Sequence, residues 1–245
     1  MLHILLGYEY GFSDDFHLQL VLRGITRCHP HVPKRAKPVT PHILRLFREC
    51  MDHESSLHWN VYACGLLLFF SLARLGSVLP ASQTSPSSNF LVGTCVNFSI
   101  EGLLVTFLRT KTIQFGERRL HVPLIRLDSV LCPVRAYERA LSLTGHHSST
   151  PAFVYRESGR MLWLTKSVFI GTFRSVLQSQ GLDHLAYTGH SFRRGGASWA
   201  FSVGVPGELI QICGDWASDA YKVYLEFSMQ NKLDLAALFA RKLPF

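Results

Sequence analysis

The stretch Gly189-His-Ser-Phe-Arg-Arg-Gly-Gly-Ala197 is the most informative part of this sequence, and the residues that follow it complete its meaning. His190 and Arg193 are three positions apart, so on a helix their side chains face the same side. Trp216 follows His190 by 26 residues, within Gly-Asp-Trp, and Tyr224 follows Trp216 by 8. An imidazole, a permanent cation, an indole N–H and a phenol therefore occur in one segment.

These side chains together meet the chemical needs of phosphodiester cleavage without a metal ion. A phenol, with a pKa of about 10, is an acceptable nucleophile and an acceptable leaving group. Arginine stays protonated and binds two phosphate oxygens at once, and histidine transfers protons near neutral pH. Each donor to the charge that develops on the phosphate is worth roughly 10²–10³ in rate. The His-x-x-Arg spacing alone is a weak signal and depends on the other residues.

This segment resembles the tyrosine recombinase (phage integrase) family, and its wording is most similar to recombinases of eukaryotic DIRS-like mobile elements. The resemblance covers residues 38–229. It implies an α+β fold, mainly α with a small antiparallel β-sheet, of the tyrosine recombinase catalytic-domain type. It also implies an enzyme of site-specific DNA recombination or integration. Such an enzyme breaks and rejoins strands through a 3′-phosphotyrosyl intermediate, with no metal ion and no cofactor.

The resemblance implies six catalytic residues. Arg74 lies where the family has an arginine that closes a buried helix, and Lys111 lies where it has a lysine in a β-hairpin. The implied roles are phosphate clamping by Arg74 and Arg193, protonation of the 5′ oxygen by Lys111, proton transfer by His190, an auxiliary hydrogen bond from Trp216 and nucleophilic attack by Tyr224.

Each assignment has an alternative. Arg74 could simply stabilise the C-terminal end of a helix dipole. Arg109 is the alternative to Lys111, and Tyr221, three positions before Tyr224, is the alternative nucleophile. The indole of Trp216 could serve only the packing of the core.

Two departures from the family pattern weaken the expectation of an active enzyme. Many relatives carry a carboxylate three residues after the first arginine, where this chain has Ser77, and the DNA-clamping amino-terminal domain is incomplete. The main alternative is therefore a DNA-binding remnant of a mobile element without turnover. A topoisomerase with the same chemistry ranks third. A serine hydrolase is excluded, because Arg193 stands where the nucleophile elbow after Ser191 needs glycine.

Composition agrees with a DNA-binding domain. The chain has 245 residues, a net charge of +8 and 47% hydrophobic residues, which is typical of a folded domain with a polyanionic partner. The expected partners are double-stranded DNA and further copies of the chain assembled on it. Six scattered cysteines without a Cys-x-x-Cys pair argue against disulfides or zinc and favour a reducing compartment. Cys28-His-Pro-His31 lacks a second ligand pair, so no metal site is expected.

A basic linker bracketed by prolines, Pro33-Lys-Arg-Ala-Lys-Pro38, divides the chain. Residues 1–33 are predicted to be a helical arm, the tail of a truncated core-binding domain, with a helix start at Ser13. Residues 34–245 are predicted to be the catalytic domain. The linker fits a solvated hinge or a nuclear import signal, so the expected location is intracellular and nuclear. The longest apolar run, residues 61–73, is too short to span a bilayer, and no membrane association is expected.

Local patterns predict the elements of the catalytic domain. Thr40 and Pro41 begin a helix that runs through Phe47, and residues 60–73 form a buried helix. Three short β-prone runs form the sheet at 103–108, 111–113 and 119–124, with a turn at Gly116-Glu117. The remaining helices are predicted at 133–141, 166–180, 191–203, 206–213, 219–227 and 233–242, the last either docking on a neighbouring copy or packing on its own domain.

Overall fold

The computed structural model describes residues 16–28, 36–84, 89–145, 150–224, 233 and 237. The chain divides into two compact units, Met1–Arg35 and Ala36–Phe245. In the first unit the described residues form helix α1 (Phe16–Cys28). The predicted helix start at Ser13 and all but two residues of the predicted last helix lie outside the described residues.

The second unit is organised around a buried helix, α3 (Ser56–Ser71). Helix α2 (Pro41–Cys50) precedes it and starts as predicted, with the Thr40 hydroxyl accepting the Ile43 N–H. Helix α3 begins four residues before the predicted position because the Ser55 hydroxyl caps it. It ends at Ser71, since the next residue adopts a left-handed conformation.

The predicted helices after the sheet are confirmed with small shifts of their ends. They are α5 (Pro133–Thr144), α6 (Lys166–Ser179), α7 (Gly189–Ser202) and α8 (Gly207–Cys213). A four-residue helix, α4 (Leu75–Val78), and 3₁₀ turns at Gly93–Cys95, His184–Ala186 and Asp219–Tyr224 complete the described helical structure. The last turn replaces the α-helix predicted at 219–227, whose remainder lies outside the described residues.

Two adjacent glycines let α7 approach its neighbours closely. A Cβ atom on Gly195 would overlap the backbone of Val39, and a Cβ atom on Gly196 would overlap the carbonyl oxygen of Phe69 in α3. Next to them, Phe192 is fully buried in the core against Gly65 of α3. The Arg-Arg-Gly-Gly sequence therefore holds the helix that carries His190 directly against α3.

This contact makes a stability prediction. Gly196→Ala is expected to lower the free energy of unfolding by about 1–3 kcal/mol, because α7 must move away from α3. Gly171→Ala, in the middle of α6, has open space around the added methyl group, and it is expected to be neutral or to stabilise by up to about 1 kcal/mol. Urea unfolding of both variants measures the difference. Equal effects would contradict the close approach.

The main sheet has three antiparallel strands, as predicted, but one strand differs. Its order is β1 (Val96–Phe98), β2 (Gly102–Phe107) and β3 (Leu120–Ile125). The prediction of a strand at 111–113 is wrong. Those residues lie in the β2–β3 connection, where the Thr110 N–H bonds to the Ile113 carbonyl and the Thr110 hydroxyl accepts the Ile113 N–H. Local side-chain bonding of this kind competes with strand pairing.

A second hairpin, β4 (Val154–Glu157) and β5 (Arg160–Trp163), was not predicted. Its tip is Ser158-Gly159, and both residues have positive φ angles, as the common two-residue hairpin turn requires. The apolar residues on either side of Ser-Gly are the signal that could have identified it.

Candidate active site

Arg74 lies between α3 and α4. The chain leaves α3 at Leu72, whose φ is 54°, and Arg74 becomes the N-cap residue of α4. Arg74 therefore does not close the buried helix, as the family pattern implied, but follows its end by three residues. A cation at the start of α4 gains nothing from the dipole of that helix, so another interaction must explain an arginine there.

Lys111 lies in the closed turn of the β2–β3 connection. Ile113 anchors this turn because its side chain is completely buried, whereas Lys111 is exposed. The turn thus presents the ammonium group of Lys111 outward from a fixed base.

One cleft of about 730 Å³ brings the predicted residues together. Arg74, Lys111 and His190 all line it, although they are far apart in the sequence. Arg109 lines it too, but its guanidinium donates to the Asn89 side chain at 3.4 Å. A cleft of this size has room for a phosphate group with its flanking sugars.

His190 lies at the start of α7, where the Thr188 and Ser191 side chains form reciprocal capping bonds. Partial desolvation in the wall of the cleft lowers the pKa of His190, and the positive charges of Arg193, Arg74 and Lys111 lower it further. His190 is therefore neutral at pH 7 and able to accept a proton. The same effect shows that the three cations are close to one imidazole.

Arg193 is buried below the cleft and does not line it. Its guanidinium donates to the carbonyl oxygens of Leu72 and, at 2.7 Å, of Gly214. With Arg74 it borders a small cavity. These bonds hold the second guanidinium beneath the first.

Comparison with solved structures shows which fold holds this site. No protein-family model matches the sequence, and no curated protein sequence is significantly similar to it. The structure superimposes on the XerA recombinase with a TM-score of 0.60 and 15% identity, over 88% of this chain and 66% of that one. It also matches the XerH site-specific recombinase bound to its palindromic difH substrate (TM-score 0.57, 13% identity, 84% and 54% of the two chains). The fold is that of a tyrosine recombinase catalytic domain. The chain spans between about half and two thirds of these recombinases.

Trp216 supports Arg193 in this recombinase fold. The guanidinium carbon of Arg193 lies 3.6 Å from the centre of the Trp216 ring, a distance at which a cation and an indole attract. The ring is 8% exposed and belongs to a small second core with Leu72 and Tyr221. A Cβ atom on Gly214 would overlap it. Packing and support of Arg193 are thus observed, and the auxiliary hydrogen bond to phosphate stays a prediction.

The two candidate nucleophiles differ in position. Tyr221 is 3% exposed and packs against Trp216, with ring centres 6.0 Å apart. Its hydroxyl lies beside Gly207. Tyr224 is the last residue of the Asp219–Tyr224 turn, and its side chain lies outside the described part of the structure. Tyr221 would have to leave the second core to reach the cleft.

Asp215 is a buried site residue that the sequence interpretation missed. Its carboxylate accepts hydrogen bonds from Thr110, Thr112 and Arg118 in the β2–β3 connection. Burial by itself would raise the pKa of Asp215, but the bonds from Thr112, Arg118 and Thr110 outweigh it, and the pKa is lowered. The only signal in the sequence was its place between Gly214 and Trp216.

Two general searches covered the described residues. Among them, no group of three or more His, Cys, Asp or Glu side chains could hold a metal ion. No helix in the described ranges combines the length and the apolar character needed to cross a bilayer.

Proposed function

We propose that this chain is the catalytic region of a tyrosine recombinase, which breaks and rejoins DNA through a 3′-phosphotyrosyl intermediate without a metal ion. The observation that carries the proposal is the cleft that Arg74, Lys111 and His190 share. Three groups with the right chemistry for one phosphate converge there in a fold of the recombinase type. Scattered surface cations would not lower the pKa of one neutral histidine together.

The proposed cleavage step assigns each proton and bond. Neutral His190 takes the proton of the Tyr224 phenol as its oxygen attacks the phosphorus. Arg74 and Arg193 stabilise the negative charge on the non-bridging oxygens. The bond to the 5′ oxygen breaks, and Lys111 protonates the leaving oxygen. Religation is the reverse reaction, with the 5′ hydroxyl of another strand as nucleophile.

The burial of Tyr221 supports Tyr224 as the nucleophile. A phenol that is 3% exposed in the second core cannot approach a DNA backbone without unpacking Trp216. Tyr224 comes three residues later, at the end of the same turn. Lys111 is favoured over Arg109 for a similar reason, since its charge acts on His190 while Arg109 is bonded to Asn89.

The proposed partners are double-stranded DNA and further copies of the chain assembled on paired DNA sites. The net charge of +8 supports a polyanionic partner. The XerH structure holds a palindromic DNA substrate, which suits a symmetric assembly of that protein. An origin in a DIRS-like mobile element and a nuclear location belong to the same proposal.

A trapping experiment tests the function. Nicked duplexes are tiled across the DNA that flanks the gene, where a mobile element keeps its own sites, so that cleavage releases a short strand and leaves the covalent adduct. We expect an adduct that resists sodium dodecyl sulfate, and we expect EDTA to leave its yield unchanged. Binding without an adduct on every duplex would favour the inactive remnant, and plasmid relaxation without recombinants would favour a topoisomerase.

The pH behaviour of His190 gives a further prediction. Because its pKa is lowered, NMR titration of the ring should show a midpoint below 6.5. Lys111→Met removes one of the positive charges that lower the pKa, so the midpoint should move up towards 6.5. Lys37→Met, which removes an exposed cation paired with Asp183, serves as the control and should leave the midpoint in place. An unchanged midpoint in Lys111→Met would separate the two residues.

A further inference from the structure

Asp215 connects two parts of the proposed site that are about a hundred residues apart in the sequence. One carboxylate oxygen accepts from both Thr110, at 2.9 Å, and Thr112. The other oxygen accepts from Arg118. Thr110 and Thr112 are the two neighbours of Lys111, so the carboxylate holds the turn on both sides of the lysine.

The same segment also holds Arg193. The Gly214 carbonyl accepts from the Arg193 guanidinium at 2.7 Å, and the Trp216 ring lies against it. Asp215, between them, has a φ of 56°, in the left-handed region that aspartate, asparagine and glycine tolerate best. This conformation lets consecutive residues serve opposite sides, with Gly214 and Trp216 on Arg193 and Asp215 on the Lys111 turn.

We propose that Asp215 is a positioning residue that sets the place of the Lys111 ammonium group relative to the Arg193 guanidinium. The inference rests on the proposed function, because it concerns the acid and one clamp of that reaction. Asp215 borders the small cavity beneath the cleft together with Arg74, Arg193 and Ser77. The carboxylate that position 77 lacks is thus supplied to this cavity from another part of the chain.

The consequence is selective. Without the carboxylate, the Thr110–Ile113 turn loses its tie to the Gly214–Trp216 segment, and Lys111 loses its place. The Arg193 bonds to Leu72 and Gly214 do not involve the Asp215 side chain, so phosphate binding should persist. Protonation of the leaving 5′ oxygen should suffer most.

A sulfur substitution separates leaving-group protonation from general loss of structure. The probe is the nicked duplex that gives the most wild-type adduct, made with oxygen or with sulfur at the bridging 5′ position of the scissile phosphate. A thiolate leaves without a proton because the pKa of a thiol is about 8.5. Asp215→Asn keeps the size and the left-handed preference of the residue but removes its charge.

We expect Asp215→Asn to slow cleavage of the oxygen substrate about 10- to 100-fold, part of the 10²–10⁴ that a general acid contributes. The sulfur substrate should recover most of this loss, as it should with Lys111→Met. Asp128→Asn, which removes an exposed carboxylate paired with Arg135, should cleave both substrates like the wild type. Equal losses on both substrates with Asp215→Asn would overturn the proposal and leave Asp215 a merely structural residue.

Hydrogen exchange tests the tie without DNA. Amide exchange of Thr112 and Ile113 should become faster in Asp215→Asn, while the amides of α3 stay protected. Unchanged exchange in the turn would overturn the tie itself. If no duplex gives a wild-type adduct, the proposed function fails, and with it the role in positioning an acid; the exchange measurement still decides whether Asp215 holds the turn.

Discussion

Replacing Tyr224 with phenylalanine is expected to abolish the covalent protein–DNA adduct and to leave DNA binding intact. The variant lacks only the oxygen that would attack phosphorus, and the loss of a nucleophile removes nearly all of the rate, by more than about a thousandfold. Adduct yield on denaturing gels measures cleavage, and a filter-binding or gel-shift titration measures affinity. Both use the duplexes of the trapping experiment.

Tyr221→Phe is the matched control. Its ring lies in the second core, 3% exposed and packed on Trp216, and phenylalanine preserves that packing. The control variant should therefore form the adduct. An adduct that survives in Tyr224→Phe and disappears in Tyr221→Phe would reverse the assignment, and it would require Tyr221 to leave the core on DNA binding.

Replacing Arg193 with alanine is expected to slow cleavage by about 10²–10³, because the developing charge loses one guanidinium. The substitution also leaves the carbonyl oxygens of Leu72 and Gly214 without their donor and removes the cation from the Trp216 face. Some loss of stability will accompany the loss of rate. Single-turnover cleavage is therefore compared at equal concentrations of folded protein, measured by near-ultraviolet circular dichroism.

Arg193→Lys separates charge from geometry. Lysine keeps the positive charge, but it cannot donate to two carbonyls in a fixed fork and also face a phosphate. We expect it to remain slow, within about tenfold of Arg193→Ala. A wild-type rate in folded Arg193→Ala would remove this residue from the clamp and leave it a support for Leu72 and Trp216.

Local signals explain why most helices could be predicted from the sequence. Thr40 with Pro41, and Thr165 with Gly181, act within a few residues of themselves, and the structure shows the capping bonds and the positive φ of Gly181. The fold class followed from the wording of the 189–224 segment. It is confirmed by the match to recombinase structures.

Tertiary interactions explain what could not be predicted. The β-branched residues at 111–113 favour a strand by propensity, but Thr110 and Thr112 bond to Asp215 about a hundred residues away. The signal for strand β1 was hidden for a similar reason, since only its pairing with β2 defines it. Propensity describes a residue alone and cannot anticipate such partners.

The candidate site shows the same division. The types and order of its residues were visible in the sequence, because the chemistry requires a phenol, two guanidiniums, an amine and an imidazole. The support of Arg193 by Leu72, Gly214 and Trp216 was not visible, since these contacts exist only after α7 packs against the end of α3. Asp215 belongs to this hidden part.

The most direct test of the central claim is a crystal structure of the protein with orthovanadate and two DNA strands that end at the cleavage position. Vanadate adopts the five-coordinate geometry of the transition state. We predict one vanadium atom bonded to the Tyr224 oxygen and in contact with Arg74, Lys111, His190 and Arg193. A structure in which Arg74, Lys111 and His190 do not reach the same vanadate would contradict the account.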